Sequence, residues 1–122
     1  MRGVPACSVC ASQKMERYPM TPTDLPALRD RYVIVRTYSA GVFAGVFVSR
    51  TGQEVVLSNA RRIWYWKGAA SLSQLALEGT SDPSGCKFPA PVARVELLQA
   101  TEILDCTPTA RRSIEAVQPW RA

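Results

Sequence analysis

Between Asn59 and Ala76 the chain sets cations beside aromatic rings and then opens a helix of small residues: Asn-Ala-Arg-Arg-Ile-Trp-Tyr-Trp-Lys-Gly-Ala-Ala-Ser-Leu-Ser-Gln-Leu-Ala. Arginine offers a fork of donors to phosphate oxygens, and an aromatic ring offers a flat face to a base. The free backbone N–H groups at a helix start offer a further anion seat. Read as a strand, the stretch puts Arg62, Trp64 and Trp66 on one side and Arg61, Ile63 and Tyr65 on the other. If the tryptophans face the core, Arg62 goes with them and needs an anionic partner. If they face outward, they form an exposed aromatic patch of the kind that marks a ligand or partner surface.

Other groups suited to the same chemistry lie nearby in sequence. In Tyr32-Val33-Ile34-Val35-Arg36-Thr37-Tyr38, alternation places Arg36 between two tyrosines, opposite Val33, Val35 and Thr37. The plainer alternative is the solvent side of an ordinary sheet. Ser39 follows, at the turn. Ser71, Ser73 and Gln74 supply hydroxyl and amide groups at the helix start, where simple capping explains them equally well. Arg111 and Arg112 precede Glu115 at helical spacing, which suits a solvated ion-paired face or a phosphate clamp reaching another subunit. Lys87 and Phe88 form a weaker cation–ring pair in a loop.

The composition narrows the chemistry. There is no histidine among 122 residues, which removes the commonest general base and the commonest metal ligand. An enzyme built from this chain would depend on carboxylates such as Glu54 or Glu78, or on Lys, Cys or Tyr. Cys7-Ser8-Val9-Cys10 has zinc-knuckle spacing, but Cys86 and Cys106 lie far from it and from each other, so no metal is expected. Gly68-Ala69-Ala70 lacks the spacing and the lysine of a phosphate-binding glycine loop. The net charge is +5, which suits an anionic partner without being extreme. Of the charged residues, eleven Lys/Arg and seven Asp/Glu follow residue 30, so the excess lies in the body of the chain. No apolar run reaches membrane-spanning length, and Met1-Arg2-Gly3-Val4-Pro5 leads into no apolar signal core. A cytoplasmic protein is expected.

These groups need a frame. Residues 1–28 are rich in proline and show no period of 2 or 3.6, which predicts an extension, disordered unless it docks; residues 29–122 form the domain. The chain predicts a strand from Tyr32 to Tyr38 and a turn or bulge between Gly41 and Gly45. A hairpin follows, from Val46 to Arg50 and Glu54 to Leu57 across Arg50-Thr51-Gly52-Gln53, with a further strand from Arg61 to Trp66. A helix is expected over about 69–77, with Gly79 in the position of a terminating glycine. Val92 to Leu104 reads as a long strand or strand pair with a slip near Leu97-Leu98, and Thr107-Pro108 starts a last helix that Pro119 ends. The fold class is α+β, an antiparallel sheet with two short helices in a single domain.

Taken together, Arg31 to Gly45, Asn59 to Ala76, Cys86-Lys87-Phe88 and the segment from Cys106 to Trp120 resemble the phage anti-Thoeris sponge family. That family sequesters cyclic ADP-ribose isomers made by bacterial TIR-domain immune enzymes. The resemblance covers about residues 30–120. It implies a binder without enzymatic activity or cofactor, assembled as dimers or hexamers in the host cytoplasm, with its messenger lodged between subunits. Some members also resemble binders of cyclic oligonucleotides, so cyclic trinucleotides are a second candidate ligand. Chemistry at these positions nominates Arg36, Ser39, Arg61, Arg62, Trp64, Trp66, Ser71, Phe88, Arg111 and Arg112 as ligand contacts. The competing readings are a nucleic-acid-binding accessory protein, which the basic body and the Arg/Trp/Tyr strand suggest, and a small hydrolase of the same messenger.

Overall fold

The computed structural model describes residues 31–121. The proposed extension 1–28, with Cys7 and Cys10, lies outside them. Five strands follow the chain as β1 (Tyr32–Thr37), β2 (Val42–Thr51), β3 (Glu54–Arg62), β4 (Val92–Leu97) and β5 (Ala100–Asp105). Two helices, α1 (Leu72–Glu78) and α2 (Pro108–Ala116), complete a small α+β domain. The sheet is antiparallel throughout, in the order β4-β3-β2-β1-β5.

That order forces the sheet to curl. β4 and β5 are its two edges, yet only Leu98 and Gln99 join them. A flat sheet would hold its outer strands four spacings, or about 19 Å, apart. The connection from Leu97 to Ala100 spans at most about 11 Å. The sheet therefore rolls into an open barrel. Two bonds pin its seam: Tyr38 N–H donates to Gln99 O at 2.9 Å, and Ala100 N–H donates to Gln53 O at 3.0 Å.

Rolling gives the sheet two buried faces. Val33, Val35, Phe43, Val55, Leu57 and Leu97 fill the inside of the curl. Tyr32, Ile34, Ala44 and Ile63 face outward, beneath Leu75, Ala76, Ala110 and Ile114 of the two helices. The β1 alternation expected from sequence is present, but both sides of the strand are core, and only Arg36 at its end is exposed.

Several element boundaries differ from the sequence-based expectation: β2 already begins at Val42 rather than Val46, and α1 begins at Leu72 rather than near residue 69. The segments Glu54–Leu57 and Arg61–Trp66 are not separate strands; β3 runs through to Arg62 because Asn59 takes a left-handed conformation (φ 46°) at a bulge. There Ser58 pairs with Val46 and Arg61 with Ala44, so Asn59 and Ala60 oppose the single residue Gly45. A Cβ at Gly45 would sit 3.0 Å from Ala60 Cα and 3.1 Å from Ser58 O, so any side chain there makes a tight contact with the paired strand. Trp64 to Trp66 leave the sheet and keep only an isolated bridge between Tyr65 and Lys87. The segment Val92–Leu104, expected as one long strand or a strand pair, is the pair, and its members sit on opposite edges of the barrel.

Burial also sets a pH dependence. Desolvation, helped by the neighbouring Asp105 charge, pushes the Cys106 thiol up to about 12 from its ordinary 9.0. The Tyr32 phenol is likewise raised, by burial first and Glu115 second. Both groups keep their protons in the folded state after the unfolded chain has begun to lose them. Stability is therefore fully present below about pH 9 and declines as pH rises toward 12. Urea denaturation at pH 7.5 and pH 10.5 should give a lower midpoint at the higher pH; equal midpoints would refute the assignment.

Candidate functional site

The alternation through Arg61 to Trp64 resolves one way. Arg61 and Ile63 point into the helix-covered core, each 3% exposed, while Arg62 and Trp64 point out. The buried cation is thus Arg61, and its partners are not anions. Its Nη1 donates to Ile114 O at 2.9 Å and Val117 O at 2.7 Å, its Nη2 to Phe88 O at 3.0 Å, and its Nε to Pro89 O at 3.1 Å. Ile114 O and Val117 O are acceptors at the C-terminal end of α2, where the helix dipole favours a cation. Four carbonyl dipoles stand in for a counter-charge. Arg61 is therefore a structural tie, and desolvation lowers its pKa. Phe88, fully buried 5.6 Å beneath the Arg61 guanidinium, belongs to the same core.

The remaining candidates fall in different places. Arg36 is exposed and paired with Glu102 at 3.4 Å, on the outward face of β1. Arg62 lies 4.5 Å over the Phe43 ring at the mouth of the curl and donates to Ala40 O at 2.6 Å. Ser39 is in the same turn and donates to the Gln99 side chain at 3.3 Å. Trp66 is half-buried against the helix-side core. Ser71 caps α1 by accepting the Gln74 N–H at 3.2 Å, the plainer of its two readings. Arg111 stacks 5.0 Å over Tyr32 and pairs with Glu115 at 3.2 Å; Arg112 is exposed beside Thr109. Glu54 and Glu78 are exposed, and Glu78 accepts from Gln74 at 3.2 Å. The ten nominated residues do not converge on one point.

A different grouping does converge. Trp64 and Trp120 stack with centroids 5.1 Å apart and planes 14° from parallel. The Lys87 ammonium lies 5.4 Å from the Trp64 ring, 5.8 Å from Tyr65 and 5.6 Å from Trp120. All three rings remain substantially exposed, at 58%, 46% and 40%. The backbone holds the group in place. Lys87 N–H donates to Tyr65 O at 2.7 Å, Trp64 N–H donates to Lys87 O at 3.2 Å, and Trp120 N–H donates to Phe88 O at 2.9 Å. Segment 86–88 thus stitches the Trp loop to the C-terminal tail. Sequence reasoning named Lys87 as secondary and passed over Trp120, because the contact joins segments distant along the chain.

Among the described residues, no group of three or more Cys, Asp or Glu side chains forms a metal-binding arrangement, and no helix is long and apolar enough to cross a membrane. No curated protein and no solved structure matches the chain. Residues 30–114, the sheet together with α1 and most of α2, match the family described as Domain of unknown function (DUF6948), and the chain belongs to that family.

Proposed function

We propose that the protein is a non-enzymatic binder that sequesters a cyclic nucleotide immune signal, a cyclic ADP-ribose isomer or a cyclic trinucleotide, as the phage sponges its sequence resembles do. The observation that carries this reading is the exposed Trp64–Trp120–Tyr65 group centred on Lys87. Flat rings suit a base, and an ammonium within reach of each suits the phosphate attached to it. A surface of this kind is completed by a second subunit, which agrees with a homo-oligomeric sponge holding its ligand between protomers.

The test is recovery of the messenger. The protein is incubated with a cyclic ADP-ribose isomer, filtered free of unbound ligand and then heated. Intact messenger in the supernatant supports sequestration; messenger degraded during incubation means hydrolysis and sinks the proposal. Replacing Trp64 and Trp120 together by alanine should weaken capture at least tenfold, since stacking contributes about 1–3 kcal/mol per base. The nucleic-acid reading rests on the same rings and the basic body. Steeply salt-dependent binding of DNA or RNA without messenger capture would favour it.

A further inference from the structure

A recess of about 140 Å³ is lined by Tyr32, Asn59, Arg61, Pro91 and Glu115. Its floor is buried and its rim is exposed: Tyr32 and Arg61 are 2% and 3% accessible, while Asn59, Pro91 and Glu115 reach solvent. Among the described residues the Tyr32 hydroxyl has no hydrogen-bond partner. A hydroxyl that is buried and unpaired costs folding free energy, and here its residue lines a space able to hold a partner.

Size and polarity narrow what that partner is. A cavity of about 150 Å³ accepts a benzene-sized ring. A whole nucleotide, whose sites run to about 300 Å³ and more, is too large. Charge argues against a phosphate or carboxylate. Four of the Arg61 donors already serve backbone carbonyls, and the Glu115 carboxylate repels an anion. Glu115 uses part of its accepting capacity on Arg111 and, like any carboxylate, has further lone pairs for an N–H donor. The Asn59 amide both donates and accepts, and it stands where the β3 bulge turns the chain outward. Pro91 supplies an apolar wall for a ring face.

We propose that this recess seats the six-membered ring of an amino-substituted nitrogen heterocycle, one adenine base of a cyclic trinucleotide whose other bases are left for the Trp64 and Trp120 rings. Glu115 accepts from the exocyclic amine, Asn59 bonds the same edge, and the Tyr32 hydroxyl donates to a ring nitrogen. The pairing follows the donor–acceptor pattern by which an amide side chain reads adenine. The sugar and phosphates leave through the open rim. This rests on the reading of the protein as a nucleotide binder, and adds which part of the ligand is held by a single protomer.

The experiment measures binding of adenosine and inosine by calorimetry to the full chain and to Tyr32→Phe and Glu115→Gln, alongside the messenger-recovery assay run with a cyclic trinucleotide that contains adenine. Adenosine should bind the parent better than inosine, whose carbonyl replaces the amine. Tyr32→Phe should lose adenosine affinity about tenfold while raising the melting temperature, because the unpaired hydroxyl is gone. Glu115→Gln should narrow or invert the preference, because an amide can donate to the inosine carbonyl. Captured messenger with unchanged affinity in both variants would overturn the seat and leave sequestration standing. Tyr32-dependent adenosine binding without messenger capture would uphold the seat and remove the sponge. Absence of binding to both ligands would overturn both.

Discussion

Replacing Arg61 by methionine is expected to lower stability by about 3–5 kcal/mol, measured as a shift of the urea midpoint at constant slope. Methionine fills much of the same space, so the loss isolates the hydrogen bonds rather than a cavity. Without the guanidinium, Val117 O at the end of α2 and Pro89 O in the adjoining loop lose their donors, while Ile114 O and Phe88 O each lose a charge-assisted bond and keep the Val117 and Trp120 N–H groups. Each unsatisfied acceptor costs about 1–3 kcal/mol, and removal of the buried cation offsets part of the sum. Lysine in its place keeps the charge but offers three donors from one point, which cannot span carbonyls arranged around a planar fork. Lys should therefore recover only part of the loss. With total stability of about 5–15 kcal/mol for a domain of this size, the methionine variant is near its folding limit at 37 °C. A shift below about 1 kcal/mol would mean that water replaces the guanidinium at these carbonyls, and that Arg61 is free to serve a ligand after all.

Arg61 also shows where sequence reasoning stops. Alternation grouped Arg61 with Ile63 and Arg62 with Trp64 as the structure does. It fails for Tyr65, which is exposed, and Trp66, which packs on the core, because the chain leaves the sheet after Arg62. Which group faces the core is decided by the helices above the sheet, and nothing within residues 59–66 fixes that. Local signals were legible where their chemistry is local. Ser71 caps α1, Thr107 caps α2 by accepting the Ala110 N–H at 3.0 Å, and Gly79 ends α1, each within one helical turn of its partner. The bulge at Asn59 was not legible, since it depends on the close crossing of Gly45 and Ala60 on another strand. Trp120 was missed for the same reason. Its stacking on Trp64 requires the tail to return along Phe88, a contact that no periodicity within either segment encodes. Tyr32 read as a candidate ring on a half-exposed face. The structure turns it into the floor of a recess because α2 and the Arg61 tie close over that side of β1.

The second large effect is expected at Gly79. Its backbone, with φ 78° and ψ −158°, lies in a region that essentially only glycine occupies, so any side chain there adds about 1–3 kcal/mol of strain. Space forbids one as well: a Cβ would lie 2.3 Å from Ser113 Cβ and 2.4 Å from Ser113 Oγ on α2. Those atoms cannot simply turn aside, because Cβ is fixed to the helix and Oγ accepts the Thr80 N–H at 3.0 Å. Gly79→Ala should therefore destabilise by about 2–5 kcal/mol, combining strain with overpacking. A double-mutant cycle separates the two causes. Ser113→Gly removes the clashing atoms and should return the packing part of the loss, leaving the backbone strain untouched. Additive losses in the double variant would show that α2 yields without cost and that strain is the whole effect. If α2 is instead pushed away, Glu115 and the carbonyls that hold Arg61 move with it. Adenosine affinity should then fall in Gly79→Ala under conditions where the protein is still folded, and recover in the double variant together with stability.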